Sequence, residues 1–137
     1  MNRNQVDKLI CYLLAIENYA KDIHYNCMGE NFYGNHLFAD RIGDNLADYI
    51  DQLKEICLLG HNIKTLDSKV YLKSTIDLIP GEISFENMKM LIIDTLAHIE
   101  NMLILSKGDE NLIGAISQDL QNNLGLINIM FGAYKDV

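Results

Sequence analysis

The sequence has no tryptophan, a single proline (Pro80) and no stretch of low complexity. Its apolar runs are short, as at 102–105, and none approaches the ~20 residues that a helix needs to span a bilayer. A membrane-spanning chain is therefore not expected. The first five residues carry no apolar core of a signal peptide, so export is not expected either and the predicted location is cytoplasmic.

Cysteine is scarce and basic residues are few. Cys11, Cys27 and Cys57 are odd in number and form no C-x-x-C pair, which favours buried thiols of a cytosolic protein. Lysine and arginine total 11 against 19 acidic residues, a net charge of −8. This balance argues against direct binding to nucleic acid, which relies on cations that neutralise phosphates. An acidic surface instead suits the attraction of cations.

The periodicity of the apolar residues predicts helices throughout. Apolar residues make up 49 % and charged residues 22 % of the 137 residues, the balance of one globular domain over 1–137. Gly29 and Gly60 fit the ends of the first two helices, Ser84 fits the N-cap of the third, and Phe131 ends the apolar stripe of the fourth. The four predicted helices cover approximately 5–28, 33–59, 85–105 and 108–134. The first has an apolar stripe of Val6, Leu9, Ile10, Leu13, Ala20 and Ile23, and the fourth has one of Ile113, Ile116, Leu120, Leu124, Ile127 and Phe131.

The connections between these helices differ in length. A short turn, 29–32, joins the first two helices, whereas roughly two dozen residues, 61–83, separate the second helix from the third. A long crossover at that point is what a ferritin-like bundle needs, and 67–76 are predicted to form a short helix within it. The predicted fold class is therefore all-α, a ferritin-like four-helix bundle with a crossover helix between helices 2 and 3.

The second predicted helix carries four candidate metal ligands. His36 and Asp40 are four residues apart, as are Asp51 and Glu55, and at about 100° per residue the four lie within about 100° of one another. This face is roughly opposite the apolar stripe of the same helix, so the side chains point away from the core of their own subunit. His36 and Asp51 are about 22 Å apart along the helix, so the two pairs do not share a metal within one chain.

An antiparallel copy of the same helix removes this separation. In such a pair, position i faces position j with i + j constant, and the numbers of His36 and Glu55 add up to 91, as do those of Asp40 and Asp51. One two-fold axis near residues 45 and 46 therefore places His36 and Asp40 of each copy opposite Glu55 and Asp51 of the other. Each dimer then contains two such sites.

Other residues near this face fit a metal site of the same kind. Gly43 and Ala47 are expected on the face beside the axis, where small side chains allow close approach. Oxygen-rich sites with one or two imidazoles suit redox-active iron better than structural zinc, and His24 at the end of the first helix would supply a second imidazole. No Glu-x-x-His motif occurs, which argues against a di-iron site within one bundle. His61 and His98 are expected to be surface or capping residues.

The same residues have a simpler interpretation. Histidine and carboxylates four apart on a helix are usually a solvated face with weak pairing.

The stretch HYNCMGENFYGNH, from His24 to His36, resembles the opening signature of the Dps mini-ferritins (DNA-binding proteins from starved cells). That family reads His-Trp-Asn, then Gly-x-x-Phe, then His. The likeness continues through Asp40 into Asp51-Gln-Leu-Lys-Glu55, similar to the family's Asp-x-x-Ala-Glu, and is looser beyond Gly60. All five ferroxidase positions match in type and spacing: His24, His36, Asp40, Asp51 and Glu55.

The resemblance implies a function and an assembly. In the family, the two histidines and the first aspartate of a site come from one subunit, and the second aspartate and the glutamate come from its two-fold partner. The implied protein is a hollow dodecamer, built from two-fold dimers, that oxidises ferrous iron with hydrogen peroxide and stores ferric mineral. Asp51 and Glu55 would bind the first iron with His24 of the partner subunit, and His36 and Asp40 would complete a second position.

The resemblance also implies a route for iron. Asp109, Glu110 and Asp119 would line an acidic three-fold pore. The alternative for these acids is complementation of the helix dipole and a solvated face.

Some positions depart from the family's pattern. Tyr25 stands where Trp is usual, and Lys54 and Ile56, on either side of Glu55, stand where Ala and Arg are usual. The basic tail of the DNA-binding members is missing, so DNA binding is not expected. Two alternatives remain: a nucleoid-associated protein, and a structural helical oligomer that lacks ferroxidase activity.

Overall fold

The computed structural model describes residues 2–104 and 106–132, and these residues form helices and no strand. The predicted all-α class is confirmed. None of the helices in this part of the chain combines the length and the apolar character needed to cross a membrane. The helices are α1 (Arg3–Asn26), α2 (Phe32–Gly43), α3 (Leu46–Glu55), α4 (Ser68–Ile76), α5 (Phe85–Glu100) and α6 (Lys107–Met130), with a π-helical turn (Ile56–Gly60) after α3.

Helix α1 is the element against which most of the others pack. It contacts α2, α3, α4 and α5, while α6 packs on α5 and α3. Asn2 caps α1 by accepting a hydrogen bond from the Gln5 N–H at 3.3 Å. The predicted apolar stripe of α1 is confirmed, because all six of its residues are buried: Val6, Leu9, Ile10, Leu13, Ala20 and Ile23.

The region predicted as one helix over 33–59 is interrupted. Helix α2 ends at Gly43, and α3 begins at Leu46. Asp44 (φ −60°, ψ −43°) and Asn45 (φ −96°, ψ −1°) keep right-handed angles, so the interruption is a local kink and not a reversal. The Asp44 N–H donates to the carbonyl of Arg41, three residues earlier, which tightens the turn there. Periodicity missed the kink because the buried residues stay in phase on both sides of it.

The long crossover contains the short helix predicted for it, since α4 covers Ser68–Ile76. Tyr71 anchors α4 on α1: its ring is buried, and its hydroxyl donates to Asp7 at 2.8 Å. Burial, followed by the hydrogen bond to Asp7, raises the pKa of Tyr71 to about 12, so this phenol stays protonated. At the far end of the crossover, the hydroxyl of the buried Tyr19 accepts from the Ser84 N–H at 2.9 Å and donates to the Glu82 carbonyl.

Helix α5 begins where the sequence predicts and ends earlier. The Ser84 hydroxyl accepts from the Asn87 N–H at 3.0 Å, which confirms the predicted N-cap. The helix stops at Glu100 and not at 105, because the side chain of Gln5 bonds the Asn101 carbonyl at 3.1 Å and the Leu103 N–H at 2.9 Å. These tertiary bonds replace the helical ones. Residue 105 lies outside the described residues.

Helix α6 begins one residue before the predicted start, with Ser106 as its cap, and ends at Met130. Ile113, Ile116, Leu120 and Ile127 are buried as predicted, whereas Leu124 is half-buried. The prediction that Phe131 faces the core is wrong: its side chain is 53 % exposed, because the helix ends at the preceding residue. The predicted continuation of the helix is wrong at 131 and 132, which form a turn, and 133 and 134 lie outside the described residues.

The Tyr19 hydroxyl yields a prediction about stability. Tyr19→Phe leaves the Ser84 N–H without its acceptor and removes one of the two donors to the Glu82 carbonyl, which keeps the Asn87 side-chain amide, and we expect a loss of about 1–3 kcal/mol in the free energy of unfolding. Chemical denaturation followed by circular dichroism measures it. The control is Tyr12→Phe, because the Tyr12 hydroxyl makes no hydrogen bond to the described residues. This variant should lose less than about 0.5 kcal/mol in the free energy of unfolding. Equal losses in the two variants would contradict the anchoring role of Tyr19.

Candidate metal centre

The turn between α1 and α2 brings His24 and His36 together. His24 lies in the last turn of α1, and His36 lies in the second turn of α2. Gly29, between them, has φ of +97°, a conformation that residues with a side chain rarely adopt, so the reversal depends on glycine here. The Phe32 N–H donates back to the Gly29 carbonyl at 3.1 Å and closes the turn.

The two histidines interlock through reciprocal hydrogen bonds. Nδ1 of His24 lies 2.7 Å from the carbonyl oxygen of His36, and Nδ1 of His36 lies 2.6 Å from the carbonyl oxygen of His24. The rings are stacked, with centroids 3.6 Å apart and planes 15° apart. A carbonyl oxygen only accepts, so both Nδ1 atoms carry hydrogen. In the neutral rings, both Nε2 atoms therefore keep a lone pair, which is the form of imidazole that binds a metal.

Aromatic side chains flank the histidine pair. Phe32 stacks on His36 with centroids 5.1 Å apart, and Tyr25 meets His24 edge-on at 4.9 Å. Tyr25, at the position where Trp is usual in the resembling family, is 75 % exposed. Packing from both sides limits the rotation of the imidazoles and thereby fixes the direction of their Nε2 atoms.

Asp40 lies near the histidine pair along an open groove. His24, Asp40 and Ala47 line this groove of about 280 Å³ between α1 and the α2–α3 segment. Gly43 is placed differently from the prediction: a Cβ there would lie 3.5 Å from the Cβ of Ala20, so this glycine faces α1. Its small size serves the packing of α2 on α1.

Asp51 and Glu55 lie on α3, beyond the kink, and the fold does not bring them to the histidines. Asp40, Asp51 and Glu55 are all exposed, and none forms a hydrogen bond or ion pair within the described part of the chain. Across 2–104 and 106–132, no three His, Cys, Asp or Glu side chains gather closely enough to hold a metal ion. Among the five predicted ligands, a single copy of the chain therefore brings His24 and His36 into contact but assembles no complete metal site.

The lysine that departs from the family's pattern beside Glu55 has its own partner. Lys54 Nζ lies 4.9 Å from the centroid of the Tyr71 ring. This cation–π contact holds the ammonium group against the α4 crossover, in the direction of the core. The sequence did not predict it, because residues 54 and 71 belong to helices that only the tertiary fold brings together.

Two of the three acids predicted to line a pore have surroundings that the sequence did not predict. Asp109 is 3 % exposed, and its two carboxylate oxygens lie 3.0 and 2.8 Å from Nε2 of His61. His61 follows the π-helical turn as its C-terminal cap. Glu110, the next residue along α6, is exposed.

The third of these acids, Asp119, faces α3. Its carboxylate accepts from the Tyr49 hydroxyl at 3.2 Å and from the Asn45 side-chain amide at 3.4 Å. Burial, followed by the charge of Asp119, raises the pKa of Tyr49. These contacts brace the kink of the α2–α3 segment against α6.

The cysteines take no part in the histidine site as ligands. Cys11 and Cys57 are buried as predicted, whereas Cys27 is half-buried, and the three form no disulfide with one another. Burial raises the pKa of the Cys11 and Cys57 thiols, which keeps them protonated and unreactive. Cys27 donates weakly to the His24 carbonyl at 3.8 Å and so belongs to the support of the histidine pair.

The chain was compared with models of protein families and with curated proteins, and neither comparison finds a match.

The hydrogen bonds of the four histidines predict their tautomers. His24 and His36 donate through Nδ1, whereas His61 donates through Nε2 to Asp109 and His98 donates through Nε2 to the Gln5 carbonyl at 2.7 Å. Two-bond ¹H–¹⁵N correlation spectra near neutral pH, without metal, should show two Nδ1–H and two Nε2–H rings. His61 and His98 serve as internal controls. An Nε2–H tautomer at either His24 or His36 would contradict the interlocked pair.

Proposed function

We propose that this chain is the subunit of a Dps-like mini-ferritin. Two copies bind ferrous iron at shared sites and oxidise it, and the ferric product is stored as mineral. The observation that carries the proposal is the interlocked His24–His36 pair, in which both rings bond through Nδ1 and both Nε2 atoms keep a lone pair, while His24 and Asp40 line the same groove. The proposed fold is a ferritin-like four-helix bundle of α1, α2–α3, α5 and α6, with α4 in the crossover.

The composition of the ligand set supports iron as the substrate. Two imidazole nitrogens and three carboxylates suit redox-active iron, and no cysteine stands among them. Two ferrous ions give one electron each to one hydrogen peroxide, whose O–O bond breaks to two hydroxide ions. Because the electrons pass as a pair, the reaction releases no hydroxyl radical. Asp40, Asp51 and Glu55 supply the anionic oxygens that favour the ferric product.

The separation of the ligands supports sharing between two copies. His24, His36 and Asp40 lie before the kink, and Asp51 and Glu55 lie after it. The kink lies beside the proposed two-fold axis near 45 and 46, and its helical backbone angles keep α2 and α3 running in the same direction. An antiparallel partner thus meets both halves, and each histidine pair faces the carboxylates of the other copy.

The proposed assembly is a cytoplasmic dodecamer built from these dimers. We propose that iron enters through a three-fold pore at the start of α6. In this proposal Glu110 is the exposed acid of the pore, and Asp109 and Asp119 are the two further acids, each held by a partner of its own, His61 and Tyr49.

Subunit mixing tests whether the site is shared. His24→Asn/His36→Asn keeps an amide N–H in place of each Nδ1–H and removes the Nε2 ligands, while Asp51→Ala/Glu55→Ala removes the carboxylates of the other half. We expect either variant alone to lose peroxide-dependent oxidation of ferrous iron. After unfolding and refolding together, the mixture should regain about a quarter of the wild-type rate, because half of the dimers are mixed and each has one intact site.

Two further results would decide the case. The matched control Asp48→Ala/Gln52→Ala changes exposed side chains of α3 at the same spacing, and it should keep the wild-type rate. A mixture that regains no activity would show that the ligands do not come from two chains. If the wild-type protein oxidises no iron, the structural oligomer without activity is the correct alternative.

The charge of the assembly predicts its behaviour towards DNA. A chain of net charge −8 gives a strongly anionic particle in twelve copies, so repulsion from the duplex is greatest at low salt. We expect no retardation of linear duplex DNA near pH 7.5 in metal-free, low-salt buffer. A salt-sensitive complex in a gel-shift experiment would favour the nucleoid-associated alternative.

A further inference from the structure

The chain that leaves Glu55 is held in an unusual conformation. Helix α3 passes at Glu55 directly into the π-helical turn Ile56–Gly60. The His61 N–H donates to the Ile56 carbonyl at 3.1 Å, and the Ile63 N–H donates to the Cys57 carbonyl at 2.7 Å. π-helical turns are rare and occur frequently at functional sites. Their looser hydrogen bonding requires support from the surrounding structure.

The His61–Asp109 pair supplies that support. It joins the exit of the π-helical turn to the first turn of α6, across 48 residues of sequence, with an Nε2–Oδ2 distance of 2.8 Å. The Asp109 carboxylate is nearly inaccessible to solvent, so removal of its donor leaves it unsatisfied. The Ser106 hydroxyl accepts from the Asp109 N–H at 3.1 Å and fixes the other side of the contact.

Glu55 and the pair belong to the same joint between helices. Glu55 lines a groove of about 520 Å³ between the end of α3 and the start of α6. Gly60 and Gly108, the immediate neighbours of His61 and Asp109, line the same groove. A change in the distance between His61 and Asp109 therefore shifts Gly60 and Gly108 and alters the groove that Glu55 lines.

We propose that His61 and Asp109 are positioning residues for Glu55. By fixing the π-helical turn on α6, the pair sets where the last turn of α3 ends and where its carboxylate reaches the partner copy. This inference rests on the proposed function of Glu55 as an iron ligand. Groups that support a ligand without touching the metal commonly change affinity or activity by roughly 10- to 100-fold when removed.

Three variants separate positioning from general stability. His61→Ala/Asp109→Ala removes both partners, so that no buried charge is left alone. His61→Gln is the conservative variant, because its side-chain amide donates from nearly the position of Nε2. The matched control is His98→Ala, which removes another half-buried imidazole that donates through Nε2, here to the Gln5 carbonyl.

Hydrogen exchange of the intact protein without metal tests the structural half of the proposal. In His61→Ala/Asp109→Ala, the backbone amides at positions 61 and 63 should exchange at least about tenfold faster than in the wild type, because the turn opens locally. The amides of α1 should stay protected. His61→Gln and His98→Ala should leave the turn as in the wild type. Unchanged exchange at positions 61 and 63 in the double variant would overturn the inference, whatever the protein does with iron.

Anaerobic ferrous titration tests the connection to Glu55. The double variant should bind ferrous iron about tenfold or more weakly, and His61→Gln should restore most of the affinity. When Glu55→Gln is already present, the same double substitution should reduce the affinity for ferrous iron little further, because the carboxylate that the pair positions is already missing. If the double substitution weakens iron binding by the same factor with and without Glu55→Gln, the positioning role is wrong. The two failures can be distinguished. If the wild-type protein binds no ferrous iron but the exchange result holds, the proposed function is wrong; the pair still fixes the π-helical turn, and only its connection to iron is lost.

Discussion

The burial of α1 constrains the rest of the molecule. Its inner face is apolar over nearly its whole length, and α1 carries more buried apolar side chains than any other helix described; burial of apolar surface is the dominant favourable term in folding. Helices α2, α3, α4 and α5 all cover it. Because the apolar stripe of the α2–α3 segment must face α1, its carboxylates at 40, 51 and 55 are left on the outer surface.

The same constraint explains why the histidines meet. Helices α1 and α2 pack closely around a short turn in which Gly29 has φ of +97°, so the last turn of α1 lies beside the second turn of α2. The imidazoles then satisfy each other's carbonyl groups, which fixes the tautomer of both rings. The hydrogen bonds to the backbone thus occupy both Nδ1 atoms and leave a lone pair on each Nε2, and His24 shares its groove with the exposed acid at position 40.

The acidic residues divide into an internal and an external set. Asp7, Asp109 and Asp119 accept hydrogen bonds from Tyr71, His61 and Tyr49 and join helices that are distant in sequence. A partly or fully buried carboxylate without such a donor would cost several kcal/mol. The external acids have no donor in the described part of the chain, so they are the ones available to a cation or to a second copy. Net charge alone does not reveal this division.

Much of the architecture follows from the sequence alone. Apolar residues three and four apart predict the helices and the buried face of α1, Ser84 predicts the start of α5, and the length of 61–83 leaves room for α4. Local chemistry decides these features: side-chain periodicity, capping and the conformational freedom of glycine. The spacing of His36, Asp40, Asp51 and Glu55 likewise predicts an outward face, and the three acids are exposed in the structure.

Other features depended on contacts between residues that are far apart in the chain. The bracing of the kink at 44 and 45 by Asp119, the early end of α5 at Glu100, the His24–His36 pair and the His61–Asp109 pair each rest on hydrogen bonds that form only after the helices have packed. A periodic pattern reports which face of a helix is buried, but it does not report which polar group that face meets. Tertiary structure decided those pairings because a buried donor or acceptor must find a partner wherever the packing places one.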